Sequence, residues 1–158
     1  MREQNGGDGS EPLIKEVHID AEPALVYAFL TQPEKMALWI GTEIGIDARP
    51  GGIFRVVPNK SDVIRGEYVE VEPFNRVSFT WGFEGDGQRV PAGSTIVEIT
   101  LQPHNGGTLV RLVHRDLSGE PREKHSHGWD HYLSRIKIAA EGGPNAPDPF
   151  ADPSVRHG

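Results

Sequence analysis

Seven histidines are the side chains of this sequence best suited to acid–base or metal chemistry, because the chain contains no cysteine. His127 and His131 have the i, i+4 spacing of paired metal ligands on a helix. Their direction argues against that role, since both project about 160° away from Trp129, which marks the buried face of the predicted helix. A third ligand would have to come from outside the domain. We therefore interpret both as exposed histidines and expect no metal site and no cofactor.

His114 and His125 are different, because both are expected to point into the domain. His125 lies one helical turn before Trp129, and His114 ends the inward-facing row of its predicted strand. Two interpretations stay open for this pair. Each is a structural histidine hydrogen-bonded to backbone or water, or the two are polar anchors for the headgroup of a ligand in an apolar cavity.

No catalytic arrangement is recognisable among the remaining polar residues. The serines lack the sequence context of a nucleophile elbow. Glu67 stands out, because a period of two places it on the same side of its strand as Val69 and Val71. A buried carboxylate needs a partner or a raised pKa, and Arg65 on that same side is the candidate partner. Glu67 is predicted to be a structural ion pair or, alternatively, a ligand or proton-transfer group.

The elements that must position these residues follow from hydrophobic periodicity and turn residues. The pattern predicts a strand over residues 13–20, a helix opening at Glu22-Pro23 and a short helix from Pro33. A long terminal helix runs from Pro121 to Ala140. Between them we predict consecutive antiparallel hairpins, with strands at residues 43–48, 53–57, 62–72, 76–83, 94–102 and 108–116.

This order of elements predicts an α+β helix-grip fold. A curved antiparallel sheet of about six to seven strands wraps around the long C-terminal helix, and two short helices follow the first strand. The helix buries one stripe against the apolar face of the sheet, and the bent sheet leaves room for an apolar pocket. We predict that this pocket is lined by Trp39, Phe54, Val56, Glu67, Val69, Phe79, Trp81, Ile99, Leu112, His114, His125, Trp129 and Leu133.

Several ordered motifs lie between residues 13 and 141. They are Pro33-Glu34 through Trp39, Arg49-Pro50-Gly51-Gly52-x-Phe54, Gly66-x-Tyr68-x-Glu70-Val71, Arg76-Val77-x-Phe79-Thr80-Trp81, Gly106-Gly107-Thr108, His114, and His125-x-x-Gly128-Trp129-Asp130. This set resembles the activator-of-heat-shock-ATPase-homologue family of the START-like (SRPBCC), birch-pollen-allergen-like superfamily. The resemblance implies the helix-grip fold and, in START-like relatives, a cavity.

The resemblance implies several functions, because the superfamily includes lipid carriers, hormone receptors and polyketide cyclases. Our leading hypothesis is the binding of a small hydrophobic or aromatic ligand, a lipid or polyketide-like metabolite, between sheet and terminal helix. The first alternative is a cyclase- or hydrolase-like enzyme that moves protons through His114, His125 or Glu67. The second is a co-chaperone that regulates a heat-shock ATPase. We expect that role to be absent, since no second chaperone-binding domain is recognisable.

Composition bounds the remaining options. The net charge of −7 argues against a nucleic-acid partner, which requires a basic surface. No run of about 18–20 apolar residues and no signal peptide is evident, which excludes membrane insertion and favours the cytoplasm. We expect residues 1–12 and the Pro/Gly-rich residues 142–158 to be disordered segments flanking one START-like domain at residues 13–141. A homodimer through exposed sheet edges stays open.

Overall fold

The computed structural model describes residues 11–142, which contain seven strands and three helices. The strands are β1 (Leu13–Ile19), β2 (Glu43–Ile46), β3 (Ile53–Val57), β4 (Ile64–Glu72), β5 (Arg76–Trp81), β6 (Thr95–His104) and β7 (Gly107–Arg115). The helices are α1 (Pro23–Thr31), α2 (Pro33–Met36) and α3 (Gly119–Ala140). Nearly all of the segments predicted to be disordered, residues 1–12 and 142–158, lies outside the described residues. No helix within residues 11–142 is long and apolar enough to span a membrane.

The seven strands form one antiparallel sheet in the order β1-β7-β6-β5-β4-β3-β2. From β2 to β7 each strand pairs with the next along the chain, which is the arrangement that short turns between strands favour. β1 completes the sheet by pairing with β7 along its whole length. The predicted fold class is confirmed: a curved antiparallel sheet, two short helices after the first strand, and a long C-terminal helix.

The long helix packs onto the sheet through one apolar stripe. Its buried residues are Trp129, Leu133, Ile136 and Ala140, which is the stripe that the sequence predicts. Burying a large apolar side chain stabilises a fold by about 1.5–3 kcal/mol, so this contact anchors α3. The helix begins at Gly119, two residues before the predicted start.

Polar contacts fix how α3 lies along β1. Lys15 on the strand forms an ion pair with Asp130 at 2.9 Å. Near the end of the helix, Lys137 Nζ donates a hydrogen bond to the backbone carbonyl of His18 at 2.8 Å. Near its start, Arg122 donates to the backbone carbonyls of Glu11 and Pro12. These bonds hold α3 beside the sheet edge at both ends, and this placement positions the site described below.

The turn between β2 and β3 requires both of its glycines. Gly51 has a φ of 84°, a backbone conformation that residues with a Cβ rarely adopt. A Cβ on Gly52 would collide with the backbone carbonyl of Asp47. The turn also joins the sheet, because the Gly51 amide donates to the Tyr68 carbonyl and the Tyr68 amide donates to the Gly52 carbonyl, both at 2.8 Å. The motif around residues 49–54 therefore has a structural explanation.

The faces of β4 are opposite to the prediction over its first half. Tyr68 is buried, whereas Glu67 is exposed and Val69 is 44% exposed. The cause is an irregularity in the pairing with β5 between Tyr68 and Glu70. An extra residue at this bulge reverses which side chains face inward. Counting back from Val71 by twos therefore placed Glu67 and Val69 on the wrong face, and Arg65 lies outward with them.

Candidate functional site

A groove of about 350 Å³ opens between the first half of α3 and the loops that follow β3 and β5. We call it the α3 groove. It is lined by Pro58, Asn59, Asp62, Ile64, Trp81, Phe83, Gln88, Val90, Pro121, Lys124, His125, Gly128, Trp129 and Tyr132. It therefore lies at the end of the sheet where α3 begins.

One wall of the groove is a face of α3. Pro121, His125, Gly128 and Tyr132 recur at three- and four-residue intervals, so they lie one above another along the helix. This row runs next to the apolar stripe that contacts the sheet. The helix therefore has two inward-facing surfaces, one that packs in the core and one that faces the groove.

The opposite wall consists of two ordered loops, one after β3 and one after β5. Asn59 Oδ1 accepts hydrogen bonds from the backbone amides of Ser61 and Asp62, both at 2.8 Å. Asn59 Nδ2 donates to Asp62 Oδ2 at 3.0 Å. In the loop after β5, the Phe83 amide donates to the Val90 carbonyl at 2.9 Å. Both loops are thus held by their own hydrogen bonds, which gives the groove a preformed wall.

Aromatic rings form the floor of the groove, with Trp81 at the centre. Its ring centroid lies 5.1 Å from Trp129, 5.6 Å from His114, 6.0 Å from His125 and 6.4 Å from Phe83. These separations fall in the range of attractive aromatic contacts. The floor is therefore a rigid ring cluster contributed by the end of β5, the first half of α3 and the loop after β5, and it is backed by the buried ring of His114 on β7.

His114 is completely buried within this cluster and uses both ring nitrogens. Trp129 Nε1 donates to His114 Nδ1 at 3.0 Å. Because Nδ1 accepts, the imidazole proton lies on Nε2, which donates to Thr95 Oγ1 at 2.8 Å. The Thr95 hydroxyl in turn donates to the Trp81 carbonyl at 2.9 Å. Every polar atom along this path has a partner of the correct kind.

His125 has the opposite arrangement. Trp81 Nε1 donates to His125 Nε2 at 3.1 Å, so this imidazole carries its proton on Nδ1. That nitrogen donates to the carbonyl of Pro121, one turn earlier on α3, at 2.7 Å. His125 therefore joins the helix to the sheet through the indole of Trp81.

Burial keeps both imidazoles neutral. Desolvation, together with a smaller effect of the nearby His125, lowers the pKa of His114 to about 2. Desolvation also lowers the pKa of His125, against the opposing effect of its hydrogen bond to Pro121. Protonation would also convert the accepting nitrogen of each ring into a donor. That donor would then face an indole N–H, and the hydrogen bond between them would be lost. Both geometry and burial thus oppose the charged form.

The structure separates the predicted site residues into three groups. Trp81, His125 and Trp129 line the α3 groove. Glu67 and Val69 are exposed on the other face of the sheet. The others are buried and do not line the groove: Trp39, Phe54, Val56, Phe79, Ile99, Leu112, His114 and Leu133. Which of them contacts a ligand stays a prediction.

Much of the groove comes from residues that sequence reasoning missed. Gln88 and Val90 lie in a loop without periodicity, and no pattern in the sequence marks them. Gly128 and Tyr132 could have been found, because they continue the helical spacing of His125. The helical spacing that gives the stripe of Trp129 also gives this second face of α3.

The remaining histidines of α3 are placed apart from the groove. His127 is exposed, as predicted, whereas His131 is half-buried because its ring packs against Tyr132, with the two ring centroids 5.3 Å apart. Within residues 11–142, no group of three or more His, Cys, Asp or Glu side chains comes together to hold a metal ion.

Comparison with known proteins places the chain in a family. The model of the family described as Activator of Hsp90 ATPase homolog 1-like protein matches residues 20–141. The chain belongs to this family. The match spans most of the described residues and all of the groove-lining ones, and it confirms the resemblance to START-like proteins.

Solved structures agree with this assignment to the AHSA1-like family. An AHSA1-like protein from Rhizobium etli is 40% identical, with a TM-score of 0.70 over 93% of this chain and 92% of that one. CalU16 from Micromonospora echinospora is 26% identical, with a TM-score of 0.69 over 85% and 76%. The Aha1 dimer from Colwellia psychrerythraea shares the fold, at 19% identity and a TM-score of 0.72 over 85% and 98%. Among curated proteins, no match was found.

Proposed function

We propose that the α3 groove binds a small, largely apolar molecule with an aromatic or lipid-like body, such as a polyketide-like metabolite. The observation that carries this proposal is a preformed groove of about 350 Å³ whose lining includes Trp81, Phe83, Trp129 and Tyr132. Small-molecule sites are concave, mostly apolar and about 300–1,000 Å³ in volume. The α3 groove meets each of these conditions.

The hydrogen bonds of the two histidines favour binding over catalysis. A general acid or base needs an atom that can exchange a proton with the substrate. Both nitrogens of His114 and both of His125 are occupied by partners within the domain. Glu67, the third candidate for proton transfer, is exposed on the other face of the sheet. The cyclase or hydrolase alternative therefore has less support.

The family description names an activator of the Hsp90 ATPase, but a family and its fold do not determine the function of each member. A pull-down with Hsp90 tests the co-chaperone alternative, and we expect no retention above a bead control. Whether this chain dimerises, as the Colwellia protein does, stays a prediction.

The binding proposal is tested by native mass spectrometry of the purified protein, followed by organic extraction and identification of any bound molecule. Phe83→Ala removes a ring that lines the groove and whose centroid lies 5.8 Å from that of His125. Phe74→Ala is the matched control, because Phe74 lies beyond the opposite end of β5 and is 56% exposed. We expect a bound apolar molecule that Phe83→Ala releases and Phe74→Ala retains.

Two results would contradict the proposal. One is equal retention of the ligand by both phenylalanine variants, which would place the binding site elsewhere. The other is a protein that carries nothing and shows no thermal shift with any member of a lipid and aromatic-metabolite panel. The thermal midpoint of each variant is measured first, so that loss of binding is not confused with loss of fold.

A further inference from the structure

Gly128 is a groove residue for which the fold gives no reason. It lies within α3, where glycine is less favourable than alanine because an unfolded glycine has more backbone conformational freedom, all of which folding into a helix removes. Its φ is not positive, and a Cβ built on it would meet nothing within 4 Å apart from its chain neighbours and the adjoining backbone of its own helix. Neither backbone conformation nor close packing therefore demands glycine here.

The missing side chain opens a slot in the wall of the α3 groove. His125 lies three residues before Gly128 and Tyr132 lies four residues after it, so both flank it on the same helical face. At 1.5 Å per residue, the interval from His125 to Tyr132 spans about 10 Å of helix. The slot is thus bounded by a ring at each end and by bare helix backbone between them.

The floor facing this slot offers a ligand no free hydrogen-bonding group. The indole N–H groups of Trp81 and Trp129 donate to imidazole nitrogens. The other nitrogen of His125 is bonded to Pro121. A polar atom pressed against this floor would lose its hydration without gaining a partner. The part of a ligand that enters the slot must therefore be apolar.

The polar groups of the groove come instead from the loops opposite α3 and from one exposed residue of the helix. Asn59, Asp62, Gln88 and Lys124 line the groove, and the Lys124 side chain is 75% exposed. This division fits a molecule with an apolar body in the slot and polar substituents at the opening. It matches the usual arrangement of small-molecule sites, in which a few polar groups orient an apolar body.

We propose that Gly128 is the specificity-determining residue of the α3 groove, and that it admits a flat, apolar ring system lying against the backbone of α3 between His125 and Tyr132. This inference rests on the proposed function of the groove. A rigid ring fits the slot better than a flexible acyl chain for two reasons. It stacks on the aromatic floor, and it has fewer rotatable bonds to immobilise on binding.

The test compares wild type, Gly128→Ala, Gly128→Leu and the control His127→Ala in two titrations. The probes are 1-anilinonaphthalene-8-sulfonate, which carries a fused ring, and laurate, which carries an acyl chain. His127 is adjacent to Gly128 but exposed and outside the groove. We expect Gly128→Ala to raise the melting temperature by about 3 °C through helix propensity. We expect Gly128→Leu to weaken binding of the ring probe by about tenfold or more.

The expected pattern also includes tighter binding of the ring probe than of laurate by wild type, and unchanged binding by His127→Ala. Ring-probe binding by Gly128→Leu within about twofold of wild type would overturn the role of Gly128. Tighter binding of laurate than of the ring probe would overturn the ring preference. If wild type binds neither probe, the proposed function of the groove fails as well. The first two outcomes overturn only the role of Gly128 or the ring preference, so failure of the inference is distinguishable from failure of the proposed function.

Discussion

The indole N–H of Trp129 donates to Nδ1 of His114 across 3.0 Å, and this one bond determines which nitrogen of the buried imidazole carries the proton. Because the Trp129 N–H is only a donor, His114 must accept at Nδ1 and donate from Nε2. Thr95 receives that second bond. The pair formed by Trp81 and His125 follows the same logic with the two nitrogens exchanged.

The first prediction concerns these proton positions. His114 should be the Nε2–H tautomer and His125 the Nδ1–H tautomer, both neutral at pH 7. Long-range ¹H–¹⁵N correlation spectra distinguish the two tautomers and the imidazolium form directly. Observation of the same tautomer at both sites, or of a charged ring at either, would show that the indole hydrogen bonds do not form as described.

The second prediction is a loss of stability in mild acid. The folded-state pKa of His114 lies at about 2, below its unfolded value near 6.5, so the unfolded state binds more protons at low pH. The free energy of unfolding is therefore fully retained above about pH 6.5 and falls as the pH drops below it. At pH 5 the loss from His114 is about 2 kcal/mol, and His125, whose pKa is also lowered, adds to it.

Urea unfolding at pH 7.5, 6.5, 5.5 and 5.0 measures this loss. His125→Gln should reduce the pH dependence, since a glutamine carbonyl can accept the Trp81 N–H without titrating. His127→Ala, which changes an exposed residue of the same helix, is the control with an unchanged dependence. A free energy of unfolding that stays level from pH 7.5 to 5.5 would contradict the prediction.

Below about pH 4.5 the carboxylates Glu70, Glu84 and Glu141, whose pKa values are lowered by their partners, add a separate loss of stability.

The sequence predicts the fold well because hydrophobic period and turn residues are local properties. The stripe from Trp129 to Ala140 needs only helical spacing, and the turn at Gly51 needs only two glycines between alternating strands. The inward direction of His114 and His125 follows from the same periods. Their hydrogen-bond partners do not follow from these periods, because the indole groups come from other elements that only the folded chain brings together.

The groove was harder to predict for two physical reasons. Its outer wall is built by loops, such as that around Asn59, whose shape depends on individual hydrogen bonds rather than on a repeating pattern. The bulge at Val69 also has no marker in the sequence, so a strict period of two predicts the wrong face of the sheet for Glu67. An apolar residue on the exposed side of a bulge looks the same, in sequence, as one in the core.

The third prediction tests the corrected faces of β4. Tyr68 is buried, and its hydroxyl donates to the Leu30 carbonyl at 3.1 Å. Tyr68→Phe should lower the free energy of unfolding by about 1 kcal/mol, and Tyr68→Ala by about 3–5 kcal/mol. The neighbouring Val69→Ala should change it by about 0.5 kcal/mol or less. Denaturant unfolding measures all three, and a larger effect at Val69 than at Tyr68 would restore the original assignment of the faces.

The last prediction separates the core from the groove at Trp39, which the sequence assigns to the pocket. Trp39 is buried, and its Nε1 donates to the Phe29 carbonyl at 2.8 Å, joining the segment after α2 to α1. Trp39→Phe removes this bond and leaves a buried carbonyl without its partner, which should lower the free energy of unfolding by about 1–3 kcal/mol. Because Trp39 does not line the α3 groove, binding of the ring probe, 1-anilinonaphthalene-8-sulfonate, should be unchanged. Urea unfolding and a fluorescence titration on the same preparation measure both quantities. Weaker probe binding with unchanged stability would show instead that the ligand lies deeper, between sheet and helix, as the sequence alone suggests.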